Sequence, residues 1–154
     1  DRFHSLTEES IFIDIDKRIT RDELFEMIAE QFACNLGLEP AELLQYFVER
    51  EEESSTALTP FLAIPHIIIS GNRVFKMFVV RVKNGVIFSE AFNSVKAVFF
   101  LIGSKDERQF HLQALSAIAQ ITHNVHFEKQ WLEAKNTQNL KDICLLSERR
   151  RATK

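Results

Sequence analysis

The stretch Val95–Ile102 restricts the possible fold more than any other part of the chain. Its sequence, VKAVFFLI, is apolar at every position except Lys96. It is far shorter than the roughly 18 apolar residues needed to span a bilayer. A short, β-branched and aromatic run of this kind is typical of a strand buried on both faces. Such a strand requires a layer of helices on each side of its sheet.

Two helices are predicted before this strand. Thr20 and Glu23 have the spacing of a capping box, which predicts a helix start, and Gly37 is a plausible stop. Pro40 suits the first turn of a second helix. Apolar residues at helical spacing extend this second helix into the acidic run Glu51–Glu53.

The remaining pattern completes an α/β fold, an α+β sandwich with a mixed, mostly five-stranded sheet flanked by helices on both faces. Strands are predicted at 10–16, 61–64, 74–82, 85–88 and 95–102, with a turn at 83–85. Helices are predicted at about 109–122, 127–134 and 140–147, and His4 is expected in a frayed terminus. We expect a single domain over residues 1–154 with a core from about 5 to 146. The first residue is Asp1 rather than Met, so we also expect that the domain was cut from a longer protein.

Composition excludes some classes of function. Lys and Arg number 19 against 22 Asp and Glu, a formal net charge of −3, which provides no general attraction for nucleic acid or an anionic membrane. No secretory leader pattern opens the chain, so a cytoplasmic location is expected. Cys34 and Cys144 are predicted to be reduced core thiols. His123 and His126 lack Cys or carboxylate partners, so no metal site is expected.

Two of the five histidines occupy positions where chemistry is feasible. His66 follows an apolar strand that is interrupted by Pro65, where we expect the chain to leave the sheet. His111 lies near the start of a predicted helix and shares a face with Leu115 and Ile118. Taken singly, each is more typical of a structural histidine than of a catalytic one.

The spacing around these histidines is more informative. The residues Arg50-Glu51-Glu52-Glu53-Ser54-Ser55-Thr56 are followed, after six further residues, by Ala63-Ile64-Pro65-His66, and His-Leu-x-x-Leu follows at 111–115. This pattern resembles the mannitol/fructose-type enzyme IIA domain of the bacterial phosphoenolpyruvate-dependent sugar phosphotransferase system. The resemblance extends from about Ser5 to Leu146.

The resemblance implies a phosphocarrier that needs no cofactor or metal. His66 would accept phosphate from the histidine-containing phosphocarrier protein and pass it to a IIB or transporter domain. Arg50 and His111 would frame the site, and Ser55 and Thr56 would bind phosphate oxygens. No nucleic acid partner and no membrane insertion of this segment are implied, although a fused transporter would tether the domain to the inner membrane.

The chain also departs from the family pattern. Ser54, Thr59 and Phe61 stand in a loop where the family usually has glycine, and the apolar run Ile67–Ile69 follows the histidine. These differences, with the basic run Arg149–Arg151, favour an alternative: a regulatory or sensory binding module. Such a module would be the cytosolic C-terminal domain of a membrane transporter, for example a cation/proton antiporter or a permease. Strand alternation predicts that Ile68 faces away from its two neighbours.

Overall fold

A mixed sheet of six strands lies between two layers of helices in the computed structural model, which describes residues 1–151. The strands are β1 Ile11–Ile15, β2 Ile19–Thr20, β3 Leu62–Ala63, β4 His66–Ile69, β5 Phe75–Ile87 and β6 Val95–Ser104. The helices are α1 Arg2–Glu9, α2 Arg21–Phe32, α3 Pro40–Glu53, α4 Arg108–His123, α5 Phe127–Glu133 and α6 Thr137–Leu146. The predicted α/β class is confirmed. Residues 152–154 of the predicted domain lie outside the described residues.

The strand pairing places β4 at one edge of the sheet. Antiparallel β5 and β6 form its centre. Strands β1 and β2 pair with β5 in parallel, and β3 and β4 pair with β6 in parallel. The edge strand β4 therefore begins at His66 and, within residues 1–151, pairs with β6 alone.

The central strand β6 is buried on both faces, as its sequence predicts. Val98, Phe100 and Ile102 pack in a core with α2 and α3. Phe99 and Leu101 belong to a second core, shared with α1, α4, α5 and α6. Alternation along one strand thus supplies both hydrophobic cores.

The first two long helices begin where the sequence predicts. Thr20 and Glu23 form the capping box of α2, and Pro40 stands in the first turn of α3. Helix α2 ends earlier than expected, at Phe32. Gly37 instead closes a short 3₁₀ turn with a left-handed φ of 71°, a conformation that glycine adopts without steric cost.

The predicted turn at 83–85 is wrong. Strand β5 runs through it, and the pairing with β6 shifts register between Arg81 and Val86. Gly85, with φ of 92°, lies so close to Ser94 that an added Cβ would be 2.4 Å from its Oγ. An irregularity in the strand, rather than a hairpin, therefore accounts for this glycine.

The chain does not leave the sheet at Pro65, contrary to expectation. The carbonyl oxygen of Pro65 accepts a hydrogen bond from the Leu101 backbone N–H at 2.9 Å, and β4 continues along β6 beyond it. Proline cannot donate a hydrogen bond, but its carbonyl still accepts one. The interruption separates β3 from β4. The sheet has six strands rather than five because β2 and β4 are additional, while the strands predicted at 74–82 and 85–88 form the single strand β5.

The predictions that His4 lies in a frayed terminus and that Cys34 is a core thiol are also wrong. His4 lies in the ordered helix α1, where the Asp1 side chain accepts a hydrogen bond from the His4 backbone N–H. Arg149 pairs with the same Asp1 carboxylate at 2.9 Å. Cys34 is exposed and only Cys144 is buried.

Among residues 1–151, no helix is both long and apolar enough to cross a membrane.

Candidate functional site

Three residues from three different elements meet at the β4 edge. His66 is the first residue of β4, His111 lies in the first turns of α4, and Arg50 lies in the last turn of α3. The centroids of the two imidazole rings are 5.4 Å apart, with 65° between the ring planes. Arg50 Nη2 lies 3.2 Å from Nε2 of His66. The structure thus brings together residues separated by up to 61 positions (111 − 50) in the sequence.

The sheet register determines which way His66 points. His66 is paired with Leu101 of β6, and paired residues of neighbouring strands face the same side of a sheet. Leu101 packs in the core shared with α4. The imidazole therefore lies on the α4 side, where His111 meets it. Arg50 comes from a helix of the other layer and reaches the ring at the open edge.

A backbone hydrogen bond orients the His66 ring. Its Nδ1 lies 2.6 Å from the carbonyl oxygen of Ile64. A carbonyl only accepts, so Nδ1 must carry the proton. In the neutral ring Nε2 then holds a free lone pair, and the Arg50 guanidinium donates to it.

Both histidines are neutral at pH 7. Burial lowers the pKa of His66 below its ordinary value of 6.5, and the Arg50 charge acts in the same direction, while the bond to Ile64 opposes the change. Burial lowers the pKa of His111 to about 4, assisted by the positive charges that His66 and Arg50 can carry. A neutral imidazole is the form that acts as a nucleophile.

The Arg50 side chain is held at the C-terminus of its own helix. Its Nη1 donates to the carbonyl oxygen of Ser54 at 3.0 Å and approaches the Ser54 hydroxyl at 3.4 Å. A cation at a helix C-terminus interacts favourably with the free carbonyl groups there. These contacts leave the other amino group, Nη2, directed to His66.

The two predicted phosphate-binding hydroxyls have different environments. Ser55 is exposed, and its Oγ accepts a hydrogen bond from the Ala57 backbone N–H at 3.2 Å. Thr56 is buried, and its hydroxyl donates to Glu51 Oε1 at 2.6 Å. The Thr56 hydroxyl proton is therefore committed to a carboxylate, and its role in phosphate binding stays a prediction.

Glu51 is a buried residue whose role its sequence position does not indicate. It is 8% exposed, whereas Glu52 and Glu53 are exposed to solvent. The signal was present in the helical spacing, because Glu51 follows the buried Phe47 by one turn of α3. Its position in a run of three acidic residues concealed that difference.

Exposed apolar side chains lie beside both histidines in the chain. Ile68 is 48% exposed, while Ile67 and Ile69 are 4% and 3% exposed, which is the predicted alternation. Leu112, the neighbour of His111, is 60% exposed. Ile68 and His66 are two residues apart in a strand and so share a face.

The chemistry available here is nucleophilic and electrostatic. Among residues 1–151, no group of three or more His, Cys, Asp or Glu side chains is placed to hold a metal ion. The site instead combines an unprotonated imidazole nitrogen, a guanidinium and a second neutral imidazole. Such a set suits transfer of an anionic group to nitrogen, since the guanidinium can neutralise the transferred charge.

Comparison with known proteins agrees with this chemistry. Residues 4–146 match the family described as "Phosphoenolpyruvate-dependent sugar phosphotransferase system, EIIA 2". The chain belongs to this family. It is a type-2 enzyme IIA phosphocarrier domain, as the two sequence motifs predict.

Relatives of this enzyme IIA domain include sugar-specific and regulatory proteins. The mannitol-specific phosphotransferase enzyme IIA component of Bacillus subtilis is 28% identical over 136 residues, which cover 83% of this chain and 89% of the relative. The nitrogen regulatory protein IIA-Ntr of Neisseria meningitidis has the same fold, with a TM-score of 0.81 and 19% identity over 94% of this chain and 99% of that one.

A third relative was solved with a partner. The complex of enzyme IIA-Mtl with phosphorylated enzyme IIB-Mtl from Escherichia coli contains a chain with a TM-score of 0.68 and 20% identity. The match covers 89% of this enzyme IIA domain and 100% of that chain. At this identity the likeness shows a shared fold.

Proposed function

We propose that His66 accepts a phosphoryl group on Nε2 from the histidine-containing phosphocarrier protein and passes it on. The observation that carries the proposal is the pair of contacts on the imidazole ring. Ile64 holds the proton on Nδ1, and Arg50 faces the free lone pair on Nε2. The nucleophilic atom and the cation that neutralises the incoming group are therefore already adjacent.

The transfer step is an in-line displacement at phosphorus. The Nε2 lone pair forms the new N–P bond while the donor's P–N bond breaks, and the donor nitrogen keeps the bonding electron pair. Nδ1 keeps its proton, so bond formation requires no base. The positive charge left on the His66 ring is offset by the phosphoryl oxygens and by the Ile64 carbonyl.

Arg50 and His111 stabilise the phosphoryl group from two sides. The Arg50 guanidinium moves from Nε2 to the equatorial oxygens and binds them with two N–H groups, which a lysine cannot do. His111 is neutral at pH 7 and donates one ring N–H to an oxygen. The exposed Ser55 hydroxyl is available for a further oxygen.

The onward acceptor is a IIB domain. The support for this step is the Escherichia coli relative, which was solved in complex with a phosphorylated enzyme IIB. A phosphorylated imidazole nitrogen is a good donor, because the ring is a stable leaving group near neutral pH. The domain would do this work in the cytoplasm, the location that the sequence predicts.

Phosphorylation with labelled phosphoenolpyruvate tests the proposal. The domain is incubated with the general phosphotransferase proteins, and one acid-labile phosphate per chain is expected. His66→Ala should abolish the label, whereas His111→Ala should accept phosphate but transfer it poorly to IIB. His123→Ala, on the last residue of α4, is the matched control and should behave as wild type.

A regulatory binding module is the second candidate. It is favoured by the loop at 54–61, which lacks the glycines usual in the family, and by the exposed Ile68 beside the site. This function needs no phosphate on His66. Absence of label on the intact domain, with an active enzyme IIA control in the same reaction, would favour it over the phosphocarrier.

A further inference from the structure

A chain of hydrogen bonds connects the buried Glu51 carboxylate to the His66 ring. Glu51 Oε2 accepts from the Thr56 backbone N–H at 2.9 Å, and Oε1 accepts from the Thr56 hydroxyl at 2.6 Å. The Thr56 carbonyl accepts from the Ile64 N–H at 2.9 Å. The Ile64 carbonyl in turn accepts from Nδ1 of His66 at 2.6 Å.

The first two bonds in this chain are buried. Thr56 is 1% exposed and Ile64 is also 1% exposed. A buried backbone N–H that loses its partner is left without a hydrogen bond and away from water, which is unfavourable, so the Thr56 N–H is held on the Glu51 carboxylate. Bonds to an ionised carboxylate are also stronger than bonds between neutral groups. The position of the Ile64 carbonyl is therefore tied to Glu51.

The geometry points to Glu51 as a positioning residue for His66, acting through Thr56 and Ile64. Adjacent residues of α3 then control the two nitrogens of one ring. Arg50 faces Nε2 directly, and Glu51 determines where the acceptor for the Nδ1 proton lies. The consequence is a single tautomer with its lone pair on Nε2.

This inference deepens the proposed function, and its catalytic part rests on phosphorylation of His66. Its structural part does not. A neutral histidine free in water favours the proton on Nε2. A proton on Nδ1 of His66 therefore shows that the Ile64 carbonyl holds it there. The histidine ¹⁵N and ring ¹H resonances distinguish the two tautomers in the unphosphorylated protein at pH 7.5.

The decisive variant is Glu51→Ala. Wild type should show His66 protonated on Nδ1 alone, and the variant should show a mixture of both tautomers. Its rate of phosphorylation should fall by roughly tenfold to a hundredfold, the effect typical of losing a residue that orients a metal-binding histidine. Glu51→Gln should restore most of the Nδ1–H tautomer and most of the phosphorylation rate. Its amide oxygen accepts from the Thr56 backbone N–H, and its amide nitrogen donates to the Thr56 hydroxyl oxygen.

Glu52→Ala is the matched control. It removes the same charge from the neighbouring, exposed position, so its tautomer and rate should match wild type. A folded Glu51→Ala protein with the wild-type tautomer would overturn the inference. If Glu51→Ala does not fold, Glu51→Asp decides, because its shorter side chain keeps the charge but cannot reach both Thr56 donors. Appearance of the Nε2–H tautomer supports the inference, and the Nδ1–H tautomer alone overturns it.

The two proposals fail in different ways. An Nδ1–H tautomer that depends on Glu51, in a protein that takes up no phosphate, would refute the phosphocarrier function and keep the positioning role. Normal phosphate uptake with a tautomer insensitive to Glu51 would do the reverse.

Discussion

Arg50 Nη2 lies 3.2 Å from Nε2 of His66, although the two residues belong to opposite sides of the sheet edge. In the proposed transfer, a guanidinium that donates to this nitrogen would lie close to the incoming phosphoryl oxygens. It would need only a short movement to bind them, so little reorganisation would be required.

Replacing Arg50 should therefore slow phosphate uptake. Arg50→Ala is expected to lower the rate of His66 phosphorylation by about 100-fold, since one electrostatic donor to the transition state is lost. Arg50→Lys should recover only part of the rate, because an ammonium cannot form the paired contact. Rapid-quench measurement of labelled protein gives the rates. Arg21→Lys, on α2, controls for the substitution of arginine by lysine. An Arg50→Ala protein that is phosphorylated at the wild-type rate would contradict this role for Arg50.

The stability of the fold should depend on pH through His111. Its pKa is about 4 in the folded protein against 6.5 for the ordinary side chain. Between these values the unfolded chain binds a proton that the folded protein excludes. The free energy of unfolding should thus be at its full value above about pH 6.5 and fall as the pH is lowered toward 4.

Urea unfolding at several pH values measures this dependence. His111→Gln removes the titrating group and should make the free energy of unfolding less dependent on pH in that window. His66, whose pKa is also lowered, will leave a residual slope. Equal slopes for wild type and His111→Gln would show that His111 titrates normally in the folded protein.

Substitutions in the run Ile67–Ile69 should distinguish an effect on partner docking from an effect on the stability of the fold. Ile68→Asp changes a side chain that is 48% exposed and should shift the free energy of unfolding by less than about 1 kcal/mol. If the exposed face at Ile68 contacts the partner, phosphate exchange with it should slow markedly. Ile67→Asp buries a charge at a 4% exposed position and should cost more than about 3 kcal/mol. A stable Ile68→Asp protein with normal exchange would exclude a docking role for Ile68.

The two thiols should react at very different rates. Cys34 is exposed, whereas burial raises the pKa of the Cys144 thiol to about 12. In the native protein, a thiol-specific alkylating reagent should modify Cys34 and leave Cys144 intact. The Cys144 thiol is shielded from the reagent and does not ionise to the reactive thiolate. Peptide mass spectrometry before and after denaturation identifies the site, and rapid native labelling of Cys144 would contradict the buried position.

Much of the site was predictable because its residues lie in local patterns. The Pro65-His66 pair and the Arg50 helix end are short, contiguous signals, and the helix that contains His111 begins within one residue of its predicted start. The errors arose where one signal has two structural outcomes. Gly85 serves an irregular strand rather than a turn, and Pro65 accepts a sheet hydrogen bond although it cannot donate one.

The sequence by itself determined the α/β class, the doubly buried β6 and the helix starts at Thr20 and Pro40, because periodicity and capping act over a few residues. The candidate nucleophile, His66, was indicated only by the resemblance of its motif to the family. Only the tertiary structure decided that Glu51 is bonded to Thr56 while Glu52 is solvated. Burial and hydrogen bonding depend on what the fold packs against a side chain. Three consecutive glutamates do not indicate which of them will be buried.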